Sequence, residues 1–194
     1  MQNIILASGS PRRKEYLSYL GLPFSIEVPD IDETPLEGET PSNLVYRLSK
    51  LKAQTISKNH INDIVIAADT VVALGNTILG KPENRDDAFN MIKLLQGKTH
   101  EVYTGTTVQK NNEIKSFVMV TKVTFDSLDD DLIKTYVASG ESDDKSGSYA
   151  LQGIASTLIS KVEGSVSTVV GLPINEVRKA LKDFGIEPNT VKVQ

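Results

Sequence analysis

Ile4-Ile5-Leu6-Ala7-Ser8-Gly9-Ser10-Pro11-Arg12-Arg13 sets the architecture at the start of the chain. The apolar run Ile4 to Ala7 reads as a short buried strand. Ser10 reads as an N-cap, Pro11 as the first helical residue, Glu15-Tyr16-Leu17 as the helix body and Gly21 as its end. The first turn of a helix already presents a positive dipole end and unpaired N–H groups, so Arg12 and Arg13 there each cost roughly 0.3–1 kcal/mol unless an anion is near. A phosphate chain reverses that sign. It can accept from the backbone, from the Ser8 and Ser10 hydroxyls and from a planar guanidinium. The alternative is that both arginines are solvated on an ordinary capped helix.

Outward from this segment, strands and helices alternate without repeats or a long linker, which predicts an α/β fold. Ser25 to Glu39 is extended and acidic, a strand running into a loop. Thr40-Pro41 opens a helix to about Ser57 with Leu44, Leu48 and Leu51 on one face. Ile64 to Leu74 is a strand, and Gly75-Asn76 turns it into Thr77 to Leu79. A helix over Arg85 to Leu95 stops at Gly97. Strands follow at Val102 to Gln109 and Ile114 to Phe125, and then a helix over Asp129 to Ser139. After the glycine- and serine-rich loop Gly140 to Gly153, Leu158 to Val162 and Val166 to Val170 read as strands, and Pro173 to Phe184 as the last helix.

At 194 residues and 39% hydrophobic content the chain can bury a core as one domain or two joined lobes. No apolar run approaches the ~20 residues of a membrane span, and the N-terminus lacks a signal-peptide pattern, so a cytoplasmic protein is expected. With no cysteines, disulfides, thiolate catalysis and cysteine-ligated zinc are excluded. His60 and His100 are well separated, so a metal would be a hard ion on oxygens. A net charge of −4 without a dense basic run argues against a nucleic-acid groove.

Three polar residues stand where packing alone would not put them. Asp69 interrupts an otherwise apolar strand, where an ionised carboxylate needs a cation, a metal or several donors. Pairing with one Arg or Lys in the core is the structural alternative. Lys52 falls between Leu48 and Val45 on the apolar side of its helix, and snorkelling past the core edge would account for it. Lys81, between Gly80 and Pro82 on a hairpin exit, is a point charge on a constrained backbone. The Gly140 to Gly153 loop is long and polar enough to be functional, with a flexible surface connection as its alternative.

In order along the chain, Ser8-Gly9-Ser10-Pro11-Arg12-Arg13, Glu33, Lys52-Ala53, Ala67-Ala68-Asp69-Thr70, Gly80-Lys81-Pro82, His100-Glu101-Val102-Tyr103-Thr104-Gly105, Lys145 to Gly153 and Val169-Val170-Gly171-Leu172-Pro173 together resemble the Maf nucleotide pyrophosphatases. The resemblance covers nearly the whole chain, read as a single domain over residues 1–194. It implies a mixed α/β sheet in two lobes about a deep cleft, similar to the inosine triphosphate pyrophosphatase fold, often as a homodimer. The implied reaction is hydrolysis of a nucleoside triphosphate to monophosphate and pyrophosphate. Ser8, Ser10, Arg13, Lys52 and Lys81 would hold phosphate, Glu33 and Asp69 a divalent cation (Mg²⁺ or Mn²⁺), and Asp69 would be the base. Arg12, Thr70 and Gln152 match the subgroup that prefers dTTP and UTP over methylated GTP. Because Maf proteins are also linked to septum formation and cell division, a nucleotide-binding regulator with little turnover is the alternative.

Overall fold

The computed structural model describes residues 3–187. The strands are β1 (Ile4–Leu6), β2 (Ser25–Ile26), β3 (Ile64–Leu74), β4 (Thr77–Leu79), β5 (Thr99–Lys110), β6 (Glu113–Phe125) and β7 (Ile159–Glu163). The helices are α1 (Pro11–Ser18), α2 (Pro41–Ser57), α3 (Arg85–Leu95), α4 (Asp130–Ala138), α5 (Val166–Val170) and α6 (Ile174–Asp183), with 3₁₀ turns at Ser146–Ser148 and Ile154–Leu158. The sheet is mixed, with strand order β2-β1-β3-β5-β6-β7 and β4 paired to β3. The α/β class read from the sequence is the one the chain adopts.

The chain divides into two compact units. One holds the chain up to Asp69 together with 104–119 and the segment from Gly171, and the other holds Thr70–Tyr103 and Val120–Val170. In the first, β1 runs parallel to both β2 and β3, with Ile5 opposite Val65. Ile4, Leu6, Ile64, Ile66, Val108, Leu172, Val177 and Leu181 pack on one side, and Ile5, Ala7, Ala53, Ile56, Val65 and Ala67 on another. β1 and this part of β3 are buried throughout, as their unbroken apolar runs require.

Helix α2 is seated by hard contact. A Cβ built on Gly105 of β5 would lie 2.1 Å from the Val45 carbonyl oxygen, so only glycine admits the helix this close. A buried pair, Ser49 Oγ and Thr107 Oγ1 at 3.1 Å, ties the same two elements. The face α2 buries is Leu44, Val45, Leu48, Ser49, Lys52, Ala53 and Ile56. Leu51, expected on that face, is 37% exposed, whereas Lys52 is 7% exposed. At about 100° per residue the stripe reaches Lys52, one step around the helix from Leu51.

The second unit packs α3 and α4 on Val72, Val102, Val123, Phe125 and Leu158. Asn84 and Asp129 cap these helices by accepting from the backbone N–H groups of Asp87 and Leu132. His100 is buried between Phe125 and Tyr149, with ring centroids 5.2 and 5.4 Å away. Its Nε2 lies 2.7 Å from the Tyr149 hydroxyl, and its buried Nδ1 has no hydrogen-bond partner among the described residues. Burial lowers its pKa from 6.5 to about 4, which keeps the imidazole neutral.

Val166–Val170, expected as a strand, is a single helical turn. Its valines suggest a strand, but its buried residues are Ser167, Thr168 and Val170, while Val166 is 48% exposed. That is not the alternation of a strand. Ser165 turns the chain locally, its carbonyl accepting from Thr168 N–H at 3.1 Å and from the Thr121 hydroxyl at 2.9 Å.

Candidate active site

In the first unit the turn between β1 and α1 forms as the sequence predicts. Ser10 caps α1, accepting from Arg13 N–H at 3.5 Å. Ser8, buried, accepts at Oγ from Ser10 N–H (3.3 Å) and from the Arg13 guanidinium (3.1 Å). Arg13 also donates through Nε to the Gly171 carbonyl at 2.8 Å, so its fork is fixed at both edges. Burial is the main influence on Arg13 and lowers its pKa, while the charge of Asp69 opposes that shift. Arg12 is half-buried beside it.

Lys52 does not snorkel. Its Nζ donates to Asp69 Oδ1 at 2.7 Å and stands 2.8 Å from Glu33 Oε1. Asp69 is 7% exposed, so the core ion pair that the strand's apolar character left open is present, with Lys52 as the cation. Helix α2, strand β3 and the acidic loop thus bring Lys52, Asp69 and Glu33 to one point. The two carboxylate oxygens on Lys52 are no further apart than the sum of those two distances. Among the described residues no group of three or more histidine or acidic side chains gathers as a metal cage. Two carboxylates suit a hard ion such as Mg²⁺, which commonly takes one or two carboxylates and completes its shell with phosphate oxygens and water. The donor set therefore fits such an ion.

The loop carrying Glu33 is held by residues that sequence reasoning passed over. Arg47 of α2 forks onto Glu39, at 2.7 and 2.8 Å, and donates to the Thr34 carbonyl at 3.1 Å. The guanidinium hydrogen bond keeps the Glu39 carboxyl below its ordinary pKa. Glu39 just before the helix start and Arg47 two turns into it are the signal that could have revealed this clamp.

In the second unit Lys81 is exposed on the exit from β4. The Ser146–Ser148 turn pins that exit. Ser146 Oγ donates to the Leu79 carbonyl at 2.7 Å and accepts from Val72 N–H at 3.1 Å, and Gly147 N–H donates to the Gly80 carbonyl at 2.9 Å. Gly147 has φ +67°, and a Cβ there would lie 2.8 Å from the Val72 side chain. Part of the Lys145 to Gly153 signature therefore holds the segment on which Lys81 sits. Gln152 is exposed at the far end of this loop, and Thr70 follows Asp69 on β3.

A profile of the family described as Maf-like protein matches residues 3–184. The chain belongs to the Maf family. It is similar to a dTTP/UTP pyrophosphatase of Bacillus cereus, 46% identical over 187 residues covering 96% of this chain and 98% of that one. A protein of the same name from Bacillus mycoides is 45% identical over 184 residues, covering 95% and 96%. Among solved structures, a HAM1 protein from Coxiella burnetii overlays with a TM-score of 0.47 at 18% identity, over 64% of this chain and 73% of that chain. A nucleoside-triphosphatase (dITP/XTP pyrophosphatase) from Mycobacterium abscessus overlays with a TM-score of 0.46 at 14% identity, over 95% of both.

Within this Maf-family chain, Ser8, Ser10, Arg12, Arg13, Glu33, Lys52 and Asp69 all fall in the first unit, and Thr70, Lys81 and Gln152 in the second. His100, part of the family signature, is a core residue of the second unit.

Proposed function

We propose that this protein is a nucleoside triphosphate pyrophosphatase that hydrolyses dTTP and UTP to the monophosphate and pyrophosphate. The observation that carries the reading is the nearly buried Lys52 held between Asp69 and Glu33. That arrangement gathers two carboxyl groups and one ammonium at a single point, the kind of fixed polar set that hydrolysis of a densely anionic phosphate chain uses. The names borne by the Bacillus relatives support the substrate class.

In this reading Arg13, Lys52 and Lys81 neutralise the triphosphate, and the Ser8 and Ser10 turn adds hydroxyl and backbone donors. Asp69 and Glu33 hold a divalent cation, Mg²⁺ or Mn²⁺, which when bound draws charge from the phosphate oxygens. Asp69, fixed through Oδ1 by Lys52, is the base that takes a proton from the attacking water. Because Ser8 and Gly171 fix the Arg13 fork beforehand, little side-chain ordering remains to oppose phosphate binding.

Arg12, Thr70 and Gln152 set base preference. The Gln152 amide offers one donor and one acceptor, matching the O4 acceptor and N3–H donor of uracil or thymine. A flipped amide would suit cytosine, so selectivity depends on what holds Gln152. The two units serve one catalytic domain spanning residues 1–194, in a cytoplasmic homodimer whose partners are small nucleotides rather than nucleic acid.

The test is incubation with dTTP, UTP, dCTP, dATP, dGTP and 7-methyl-GTP plus Mg²⁺ or Mn²⁺, with products separated. Monophosphate and pyrophosphate from dTTP and UTP ahead of the others is the expected result. Diphosphate and phosphate would overturn the reaction, preference for 7-methyl-GTP would overturn the specificity, and tight binding without turnover would favour the regulator. Sedimentation checks the dimer.

A further inference from the structure

Whichever way its amide faces, Gln152 can read a base edge only from a fixed place, and the second unit contains a device positioned to hold its backbone. Glu141, half-buried after α4, turns its carboxylate under the residues that follow Gln152. Oε2 accepts from Ile154 N–H at 2.7 Å and Oε1 from Ala155 N–H at 2.9 Å. Both oxygens are thus used on two successive amides, the unpaired donors at the start of the Ile154–Leu158 turn. The carboxylate also lies against Gly153, where a Cβ would be 2.3 Å from Oε2. The position after Gln152 is therefore closed to any side chain while the carboxylate is there.

Glu141 is itself held. The Tyr136 hydroxyl stands 3.4 Å from Oε1 and donates to the Ser148 carbonyl at 3.0 Å. Lys145 Nζ donates to the Glu141 carbonyl at 2.6 Å. Charge-assisted bonds from two backbone amides are stronger than neutral ones and leave the segment few alternative paths.

We infer that Glu141 is a positioning residue for base selection, its carboxylate fixing the backbone at Gly153 to Ala155 so that Gln152 presents its amide in a single place. The inference rests on the proposed role of Gln152. The isosteric Glu141→Gln replaces one accepting oxygen with a donor that faces an N–H, so one of the two amide bonds is lost. Misplacement of a recognition group by a fraction of an ångström to 1 Å commonly costs about tenfold or more. In Glu141→Gln, kcat/KM for dTTP and UTP is expected to fall about tenfold, chiefly through KM, while that for dCTP changes less than about threefold.

The experiment measures kcat and KM for these three nucleotides in the wild type, Glu141→Gln, Gln152→Ala and the double variant, with thermal melts of each. If Glu141 acts through Gln152, adding Glu141→Gln to Gln152→Ala leaves the dTTP/dCTP ratio where Gln152→Ala put it. An equal fall for all three nucleotides, or an unchanged ratio in Glu141→Gln, overturns the inference. Should Glu141→Gln not fold, Glu141→Asp, which keeps the charge but shortens the reach, is read by the same ratio. A wild type without preference for dTTP and UTP instead overturns the proposed substrate. In that case whichever base preference the wild type has must still narrow in Glu141→Gln, or the inference falls too.

Discussion

Lys52→Met separates the energetic roles of the two carboxylates on Lys52. Asp69 and Lys52 are each 7% exposed and meet at 2.7 Å, whereas the Glu33 side chain is 56% exposed. Removing the ammonium leaves the Asp69 carboxylate buried without its cation, a change that costs about 3–5 kcal/mol when one partner of a buried pair is deleted. Glu33 is itself solvent-exposed and can exchange the lost ammonium for water, so Glu33→Gln should cost less than about 1 kcal/mol. Asp69→Asn leaves Lys52 with Glu33 and an amide oxygen, so a loss of about 1–3 kcal/mol is expected. The double variant Lys52→Met/Asp69→Asn removes charge from both sides and should be more stable than Lys52→Met alone, with a coupling of about 1–3 kcal/mol. Urea unfolding of all four variants at neutral pH, with chelator present, measures the order. A Lys52→Met variant within about 1 kcal/mol of wild type, or a double variant less stable than Lys52→Met, would refute a buried charge pair. Turnover should be lost in Lys52→Met and in Asp69→Asn, and the latter should still bind dTTP.

Chelation should stop hydrolysis, and added Mg²⁺ or Mn²⁺ should restore it, with full activity in excess chelator counting against a cation on Glu33 and Asp69. His100 should make the fold acid-sensitive. Its folded pKa of about 4 lies below the unfolded 6.5, so the contribution is whole above about pH 6.5 and is lost as pH falls through about 4. At about 1.4 kcal/mol per pH unit the loss is about 3 kcal/mol. Melts of wild type and His100→Gln between pH 7 and 4 should converge by about that amount, and parallel curves would remove His100 as the cause. Gly105→Ala would press a methyl group on the Val45 carbonyl and should cost several kcal/mol, about 2–4 by denaturant titration, with a loss below 0.5 kcal/mol showing that α2 can shift.

Much of this fold was legible because local signals agreed. Ile64 to Leu74, Gly75-Asn76 and Thr77 to Leu79 form as read, since an apolar run, a turn pair and a second short run point the same way. Val166 to Val170 misled because valine content outweighed the polar residues that are actually buried there. The candidate site was legible in composition but not in contact. Asp69 demanded a partner, and Lys52 sat on the wrong side of its helix for a solvated charge. Their meeting depends on how α2 lies on the sheet, which no window of sequence encodes. The Glu141 carboxylate is hidden for the same reason, being an ordinary surface residue type until a backbone folds against it, whereas the Arg47–Glu39 clamp is local and its spacing was there to be read.

The contact of Gly105 with the Val45 carbonyl bears on how this protein tolerates change. Val45 and Lys52 are seven residues apart, two turns and about 10 Å along the same face of α2. The helix is stopped against β5 by its own main chain, so its depth is set by atoms that no side-chain replacement alters. Exchange of Leu44, Leu48 or Ile56 for another aliphatic residue is therefore expected to leave the main-chain stop at Val45 in place. A population of sequences could drift through this core while the helix stays seated against β5, and glycine at 105 would be the position at which that drift stops.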